Sequence, residues 1–255
     1  MSAPRRLRNL LLVAGLLAGC ATTLPPPREV IPPAALRGIE LLTERWREFK
    51  DLRTLADVEI QRGRDRQQMR AVVLARAPAS VRFEALSPMG QPLLIATIHD
   101  GRLTAYDATR NEAFVGDATP QVTARVLGLP FEPDDLVAVL AGRAIPPADV
   151  RTAQWLPADD SGPSLELAGP VNRRRIWLDP DTGVVRQFEL IGGRTDARVK
   201  YQRDAAGVMS GFNLTAMMAY VTASVRYQNA TFGAVIDPSL FTFEPPQDAK
   251  IQAIK

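Results

Sequence analysis

The chain has 255 residues, 31 Lys plus Arg against 28 Asp plus Glu, and a calculated pI near 9.3. The basic excess is confined to the start: Arg5, Arg6 and Arg8 precede an apolar run, and beyond residue 19 the counts are 28 basic and 28 acidic. With no surplus cation to neutralise phosphates along a polyanion, a nucleic-acid partner is excluded. At 46% hydrophobic and 23% charged residues the chain can bury a core. Its one cysteine, Cys20, excludes an internal disulfide, and its one histidine, His99, argues against His-rich metal sites.

Leu10–Ala18 is an apolar run of nine residues behind the three arginines. It is too short to span a bilayer, which needs roughly 20 residues, and has the layout of a signal peptide. It closes with Leu17-Ala18-Gly19-Cys20, which resembles the lipobox of bacterial lipoproteins. That resemblance implies cleavage before Cys20, a diacylglycerol and an N-acyl chain on Cys20, and no other cofactor. Ala21 stands where aspartate would favour retention at the inner membrane, so the implied address is the periplasmic face of the outer membrane. Pro25, Pro26, Pro27, Pro32 and Pro33 follow. A polyproline II tether over 20–35, at up to about 3.1 Å per residue, is expected to hold the body of the chain, 36–255, off the membrane as one domain.

Ala35–Phe49 repeats Leu36, Ile39, Leu42, Trp46 and Phe49 at helical spacing, so a helix should lay this stripe on a sheet. The pattern then turns to alternation. Val81, Phe83 and Ala85 are separated by Arg82 and Glu84, and Val221, Ala223, Val225 and Tyr227 by Thr222, Ser224 and Arg226. Similar runs lie near 55–62, 68–76, 92–99, 102–107, 111–116, 151–157, 164–169, 173–179, 184–191, 198–202 and 210–216. Turn signals at Asp100-Gly101, 179–183 and Gly192-Gly193 separate several of them. About 11–13 strands polar on one face predict a mainly β chain: an antiparallel sheet curled around an apolar interior.

Residues 119–142 break that pattern. Thr119-Pro120 is a helix start and Gly128 a stop. Pro133-Asp134-Asp135 is a second start, followed by Leu136, Val137, Val139 and Leu140 and ending at Gly142. The second helix is apolar nearly all round and should be buried. The pair either forms a lid over a cavity or completes a core with no cavity beneath it.

Ser87-Pro88-Met89-Gly90, Val126-Leu-Gly-Leu-Pro130 and Leu136-Val-Ala-Val-Leu-Ala-Gly142-Arg-Ala-Ile-Pro146, in this order and spacing, resemble the LolB family. These are outer-membrane lipoproteins that receive other lipoproteins from a periplasmic carrier. The resemblance implies a LolA-like carrier, lipoprotein cargo and outer-membrane phospholipid as partners, and a monomer. It also implies an unclosed antiparallel β-barrel with a short helical lid over an apolar cavity that takes up acyl chains. Phe83, Tyr106, Phe114, Trp155, Trp177, Phe188, Tyr201, Phe212 and Tyr227, with Val126, Leu136 and Leu140 of the lid, are the candidates to surround it. Met89 matches the family's protruding apolar residue, and Ser87, Pro88 and Gly90 suit a type I turn with Met89 at its tip.

The competing reading is a structural envelope lipoprotein that scaffolds an assembly without moving a ligand. An enzyme is not expected: there is no Gly-x-Ser-x-Gly elbow, phosphate loop or metal-ligand spacing. Asp179-Pro-Asp-Thr-Gly183 lacks the further oxygens of a calcium loop and reads as a β-turn.

Overall fold

The computed structural model describes residues 25–128, 131–192, 196–216 and 220–254. Helix α1 spans Pro33–Glu48 and leads into six strands: β1 (Asp51–Arg62), β2 (Asp65–Arg76), β3 (Ser80–Leu86), β4 (Pro92–His99), β5 (Arg102–Asp107) and β6 (Glu112–Asp117). Helices α2 (Pro120–Leu127) and α3 (Pro133–Leu140) follow. The second half is β7 (Thr152–Asp159), β8 (Gly162–Ala168), β9 (Arg173–Leu178), β10 (Val185–Ile191), β11 (Ala197–Arg203), β12 (Met209–Ala216) and β13 (Val221–Phe232). A 3-10 turn at Pro238–Phe241 and β14 (Lys250–Ile254) complete it.

The strands form one sheet in the order β14-β6-β5-β4-β3-β2-β1-β13-β12-β11-β10-β9-β8-β7. The edge strands β14 and β7 pair with β6 and β8 but not with each other, so the barrel is unclosed, as the resemblance implies. The β1–β13 pairing joins the two halves, with Val58 opposite Val225. There are fourteen strands rather than 11–13, and the additional one, β14, is parallel to β6 rather than antiparallel. One face of the sheet buries Leu52, Ala56 and Val58 of β1 with Ala71, Val73 and Ala75 of β2, while Asp57, Glu59 and Arg70 face away. Twist inherent to long strands curls that apolar face inward.

Helix α1 lies against β7 through Ala35, Gly38 and Leu42, with Leu36 exposed. Of the expected stripe, Leu42 and Phe49 are buried and Ile39 and Trp46 half-buried against the core, so Leu36 alone departs from it, and Trp155 sits beneath the helix. The Trp155 indole N–H donates to the Ala34 carbonyl at 2.9 Å, and a Cβ on Gly38 would lie 2.9 Å from Leu165 and 3.1 Å from Trp155. Gly38→Val should therefore lift α1 and destabilise the fold by about 2 kcal/mol. Urea unfolding checks this, and an unchanged midpoint would contradict the close approach.

The proline-rich segment is docked, not a free leash. Pro26 accepts a hydrogen bond from Arg151, Glu29 N–H donates to the Arg151 carbonyl at 2.9 Å, and Arg28 pairs with Asp149 at 2.8 Å. Ile31 packs on the core. After β13 the chain crosses the outer face of the sheet. There Phe241 joins Leu74 and Ile236 in a second apolar cluster, and Arg82 donates to the Leu240 carbonyl.

Candidate functional site

The two short helices begin and end where local chemistry dictates. Thr119 Oγ accepts from Val122 N–H at 3.3 Å, Pro120 occupies the first turn, and Gly128 ends α2 at φ 71°, in the left-handed region. The buried Thr123 hydroxyl donates to the Phe131 carbonyl at 2.9 Å, which ties α2 to the start of α3. At the end of α3, Arg143 N–H reaches the Ala138 carbonyl and Gly142 N–H that of Val139, with Gly142 at φ 67°. Asp135 through Leu140 are all buried, as expected of a helix apolar nearly all round.

Three polar anchors hold α3 down. The Asp135 carboxylate receives both Nη atoms of Arg174 on β9, at 2.6 and 2.8 Å, and Arg174 also donates to the Ile145 carbonyl. Both side chains are buried. Burial pushes the Asp135 carboxyl up to about 7, against the attraction of Arg174. The Tyr227 hydroxyl donates to the Leu140 carbonyl at 2.7 Å, and that of Tyr201 to the Arg143 carbonyl at 2.8 Å. Burial raises both phenols far above their ordinary value, so each remains a protonated donor. These anchors are not legible in the sequence. Asp135 reads there as a helix-start charge, and its partner lies 39 residues away.

Between this helical cover and the sheet lies an apolar cavity of about 240 Å³. Its floor is Val58 and Ile60 of β1, Met69 and Val73 of β2, Val81 and Phe83 of β3, Leu94 of β4, Phe212 of β12, and Ala223 and Val225 of β13. Val126, Leu127, Leu136 and Leu140 roof it, and Gln67 is the polar wall residue. Ile60 and the exposed Gln67 are cross-strand partners near the β1–β2 turn, so the cavity reaches that rim of the sheet.

Of the residues expected around a cavity, Phe83, Val126, Leu136, Leu140 and Phe212 line it. Tyr106 and Trp177 do not: both lie on the outer face. Tyr106 alternates with the inward Ala105, stacks near Phe243 at 5.8 Å and donates to Asn111. Trp177 alternates with the inward Ile176, donates to Asp159 at 2.8 Å and carries Arg175 over its ring at 4.2 Å. Trp155 is engaged under α1. Phe114 and Phe188 pack in the main core, and Tyr201 and Tyr227 pack there as lid anchors. None of these five is a wall of the cavity.

Pro88, Met89 and Gly90 form the β3–β4 turn, closed by Gly90 N–H to the Ser87 carbonyl at 2.9 Å, and Met89 is 91% exposed. Strand register puts this turn on the rim that also carries the β1–β2, β8–β9 and β12–β13 turns. Val171 and Tyr220, in the latter two, are 78% and 83% exposed. The docked N-terminal segment meets Arg151, just before β7, at the same rim. Cys20 and Pro130 lie outside the described residues. The 179–183 segment is a turn: the Asp179 carboxylate accepts from the backbone N–H groups of Asp181 and Thr182, which hold its pKa down.

No protein-family model matches the sequence, and no curated protein is significantly similar to it. Solved structures are similar in fold. A LolA superfamily protein of Nitrosomonas europaea is 13% identical at a TM-score of 0.55, covering 82% of this chain and 97% of its own. A putative outer membrane lipoprotein-sorting protein domain of Vibrio parahaemolyticus is 12% identical at 0.56, covering 81% and 97%. A DUF1329 family protein of Desulfovibrio piger is 11% identical at 0.56, covering 83% and 98%. With its edge strands not paired to each other and two helices over the concave face, the chain shares the fold of these solved structures, a LolA superfamily protein among them.

Proposed function

We propose that this protein is a lipoprotein anchored through Cys20 to the periplasmic face of the outer membrane, where it binds the acyl chains of lipoproteins or another lipid and helps place them in that membrane. The cavity under α2 and α3 carries this reading. It is walled almost wholly by aliphatic and aromatic side chains, and apolar burial drives acyl binding without finely placed polar partners. Its 240 Å³ falls below the roughly 300 Å³ at which small-molecule pockets begin, so a full acyl chain requires the helical cover to lift. Cargo would arrive from a LolA-like carrier and move by differential affinity, with no covalent chemistry.

The rim supports the orientation. Residues 20–25 span at most about 17 Å, at roughly 3.4 Å per residue. An anchor on Cys20 would therefore hold the rim bearing Met89, Val171 and Tyr220 close to the bilayer, with the cavity reaching that rim. The test is purification from membranes with lipid analysis, followed by transfer of an acylated lipoprotein from its carrier. Bound acyl chains and transfer are expected; finding neither would return the protein to a scaffolding role. Met89→Glu should leave stability within about 0.5 kcal/mol, because the side chain is exposed. It should slow transfer to membranes severalfold, and normal transfer would remove the role assigned to Met89.

A further inference from the structure

The opposite rim gathers three arginines in one pocket, two of them paired with a single carboxylate. Arg45 of α1, Arg143 just past α3 and Arg203 at the end of β11 line one concave pocket of about 330 Å³. Arg45 and Arg143 share Oε2 of Glu48, at 3.2 and 3.7 Å, and the Glu48 side chain is itself 57% exposed. Arg203 pairs with no carboxylate among the described residues. Its Nη2 donates to the Gly142 and Val185 carbonyls, at 3.2 and 3.1 Å, and its Nη1 to that of Gly207. Carbonyls satisfy N–H groups but leave the charge uncompensated. Arg143 makes no hydrogen bond through its guanidinium among the described residues, although its side chain is only 25% exposed. Burial, and then the neighbouring Arg45, hold its pKa below the ordinary arginine value, and the same two causes act on Arg203.

We propose that this pocket binds a phosphate group. Arginine's planar fork pairs with phosphate oxygens through charge-assisted hydrogen bonds. The Arg143 fork is the one without a hydrogen-bond partner among the described residues, and Arg45 and Arg203, whose donors are largely engaged, add positive charge beside it. A phosphate would also relieve the repulsion that the pocket now contains. Beside the arginines, the half-exposed Val208 and Phe232 make an apolar lip, which suits a phosphate carried on a lipid better than a free one. The pocket is separate from the acyl cavity and stands on its own observations.

The test measures the thermal midpoint of the full chain, purified from membranes in a nonionic detergent, at constant ionic strength. Three additives are compared: inorganic phosphate, dihexanoyl phosphatidic acid and dihexanoylglycerol, which lacks the phosphate. Phosphatidic acid should raise the midpoint at concentrations at least tenfold lower than inorganic phosphate, and dihexanoylglycerol should not match it. Stabilisation by inorganic phosphate alone would still support the pocket and identify a free phosphate as its ligand. Arg143→Gln removes one charge without removing a backbone cap. It should weaken either phosphate by about tenfold or more while leaving the ligand-free midpoint unchanged or higher. If neither phosphate compound shifts the wild-type midpoint, or both shift Arg143→Gln equally, the proposal is overturned. A lower ligand-free midpoint in Arg143→Gln with unchanged phosphate response would overturn it likewise, by giving Arg143 a purely structural role. Loss of acyl-chain binding in the same preparation would bear on the cavity and not on this pocket.

Discussion

At pH 8, where the Asp135 carboxyl is ionised, Asp135→Ala is expected to destabilise the protein by about 3–5 kcal/mol, because it leaves the buried Arg174 guanidinium without its counter-charge. The same substitution should accelerate amide exchange across α3, which that pair fastens to β9. The pair is not thereby a net source of stability. Burial outweighs the attraction of Arg174 and raises the Asp135 carboxyl from an ordinary value near 3.8 to about 7. Because the folded value lies above the unfolded one, the fold favours the protonated acid. Its contribution is complete below about pH 4 and is lost as pH rises through 7. Between these limits stability should fall, by up to about 1.4 kcal/mol per pH unit. Replacing both partners, as Asp135→Leu with Arg174→Met, should recover most of the stability and abolish this decline. Urea unfolding of the three proteins from pH 4 to 8 checks both points. A stable single variant, or a double variant that keeps the slope, would contradict the argument.

Phe83→Asp should lower acyl-chain affinity by more than about 100-fold. Phe83 is half-buried on the cavity floor, so in the empty protein the new carboxylate can keep water through the mouth. Lost apolar contact should then cost only about 1–2 kcal/mol of stability. A seated acyl chain would strip that water, and desolvating an unpaired carboxylate costs several kcal/mol. Phe83→Leu keeps the cavity apolar and should bind within a few-fold of the wild type. Titration with a fluorescent fatty acid distinguishes them. Equal binding by Phe83→Asp would place the acyl site elsewhere on the molecule.

Much of the architecture is legible in local patterns, because a strand with one wet face and one dry face must alternate. Thirteen strands announce themselves in this way, and the lid helices carry their own caps at Thr119, Gly128 and Gly142. The fourteenth is five residues long and exists through its pairing with β6, which no local signal at Lys250–Ile254 reveals. Alternation also leaves open which face is dry. Tyr106 and Trp177 have the size of core residues, but the C-terminal crossing covers one from outside and Asp159 with Arg175 engages the other. Trp155 is apolar and half-buried, yet it supports α1 rather than a ligand.

The sequence by itself determined the three helices and thirteen of the fourteen strands, the helix ends, the exposed turn at Met89 and the even charge of the chain beyond its first 19 residues. Each depends on near neighbours or on simple addition. The tertiary structure alone decided which aromatic residues face the cavity, that Asp135 finds Arg174, that the proline segment docks on Arg151, and that three arginines line one pocket. These depend on curl and register, which bring together side chains tens of residues apart. An even total of charge therefore coexists with a local surplus at one rim, because electrostatic interaction follows distance in space, not the sum along the chain.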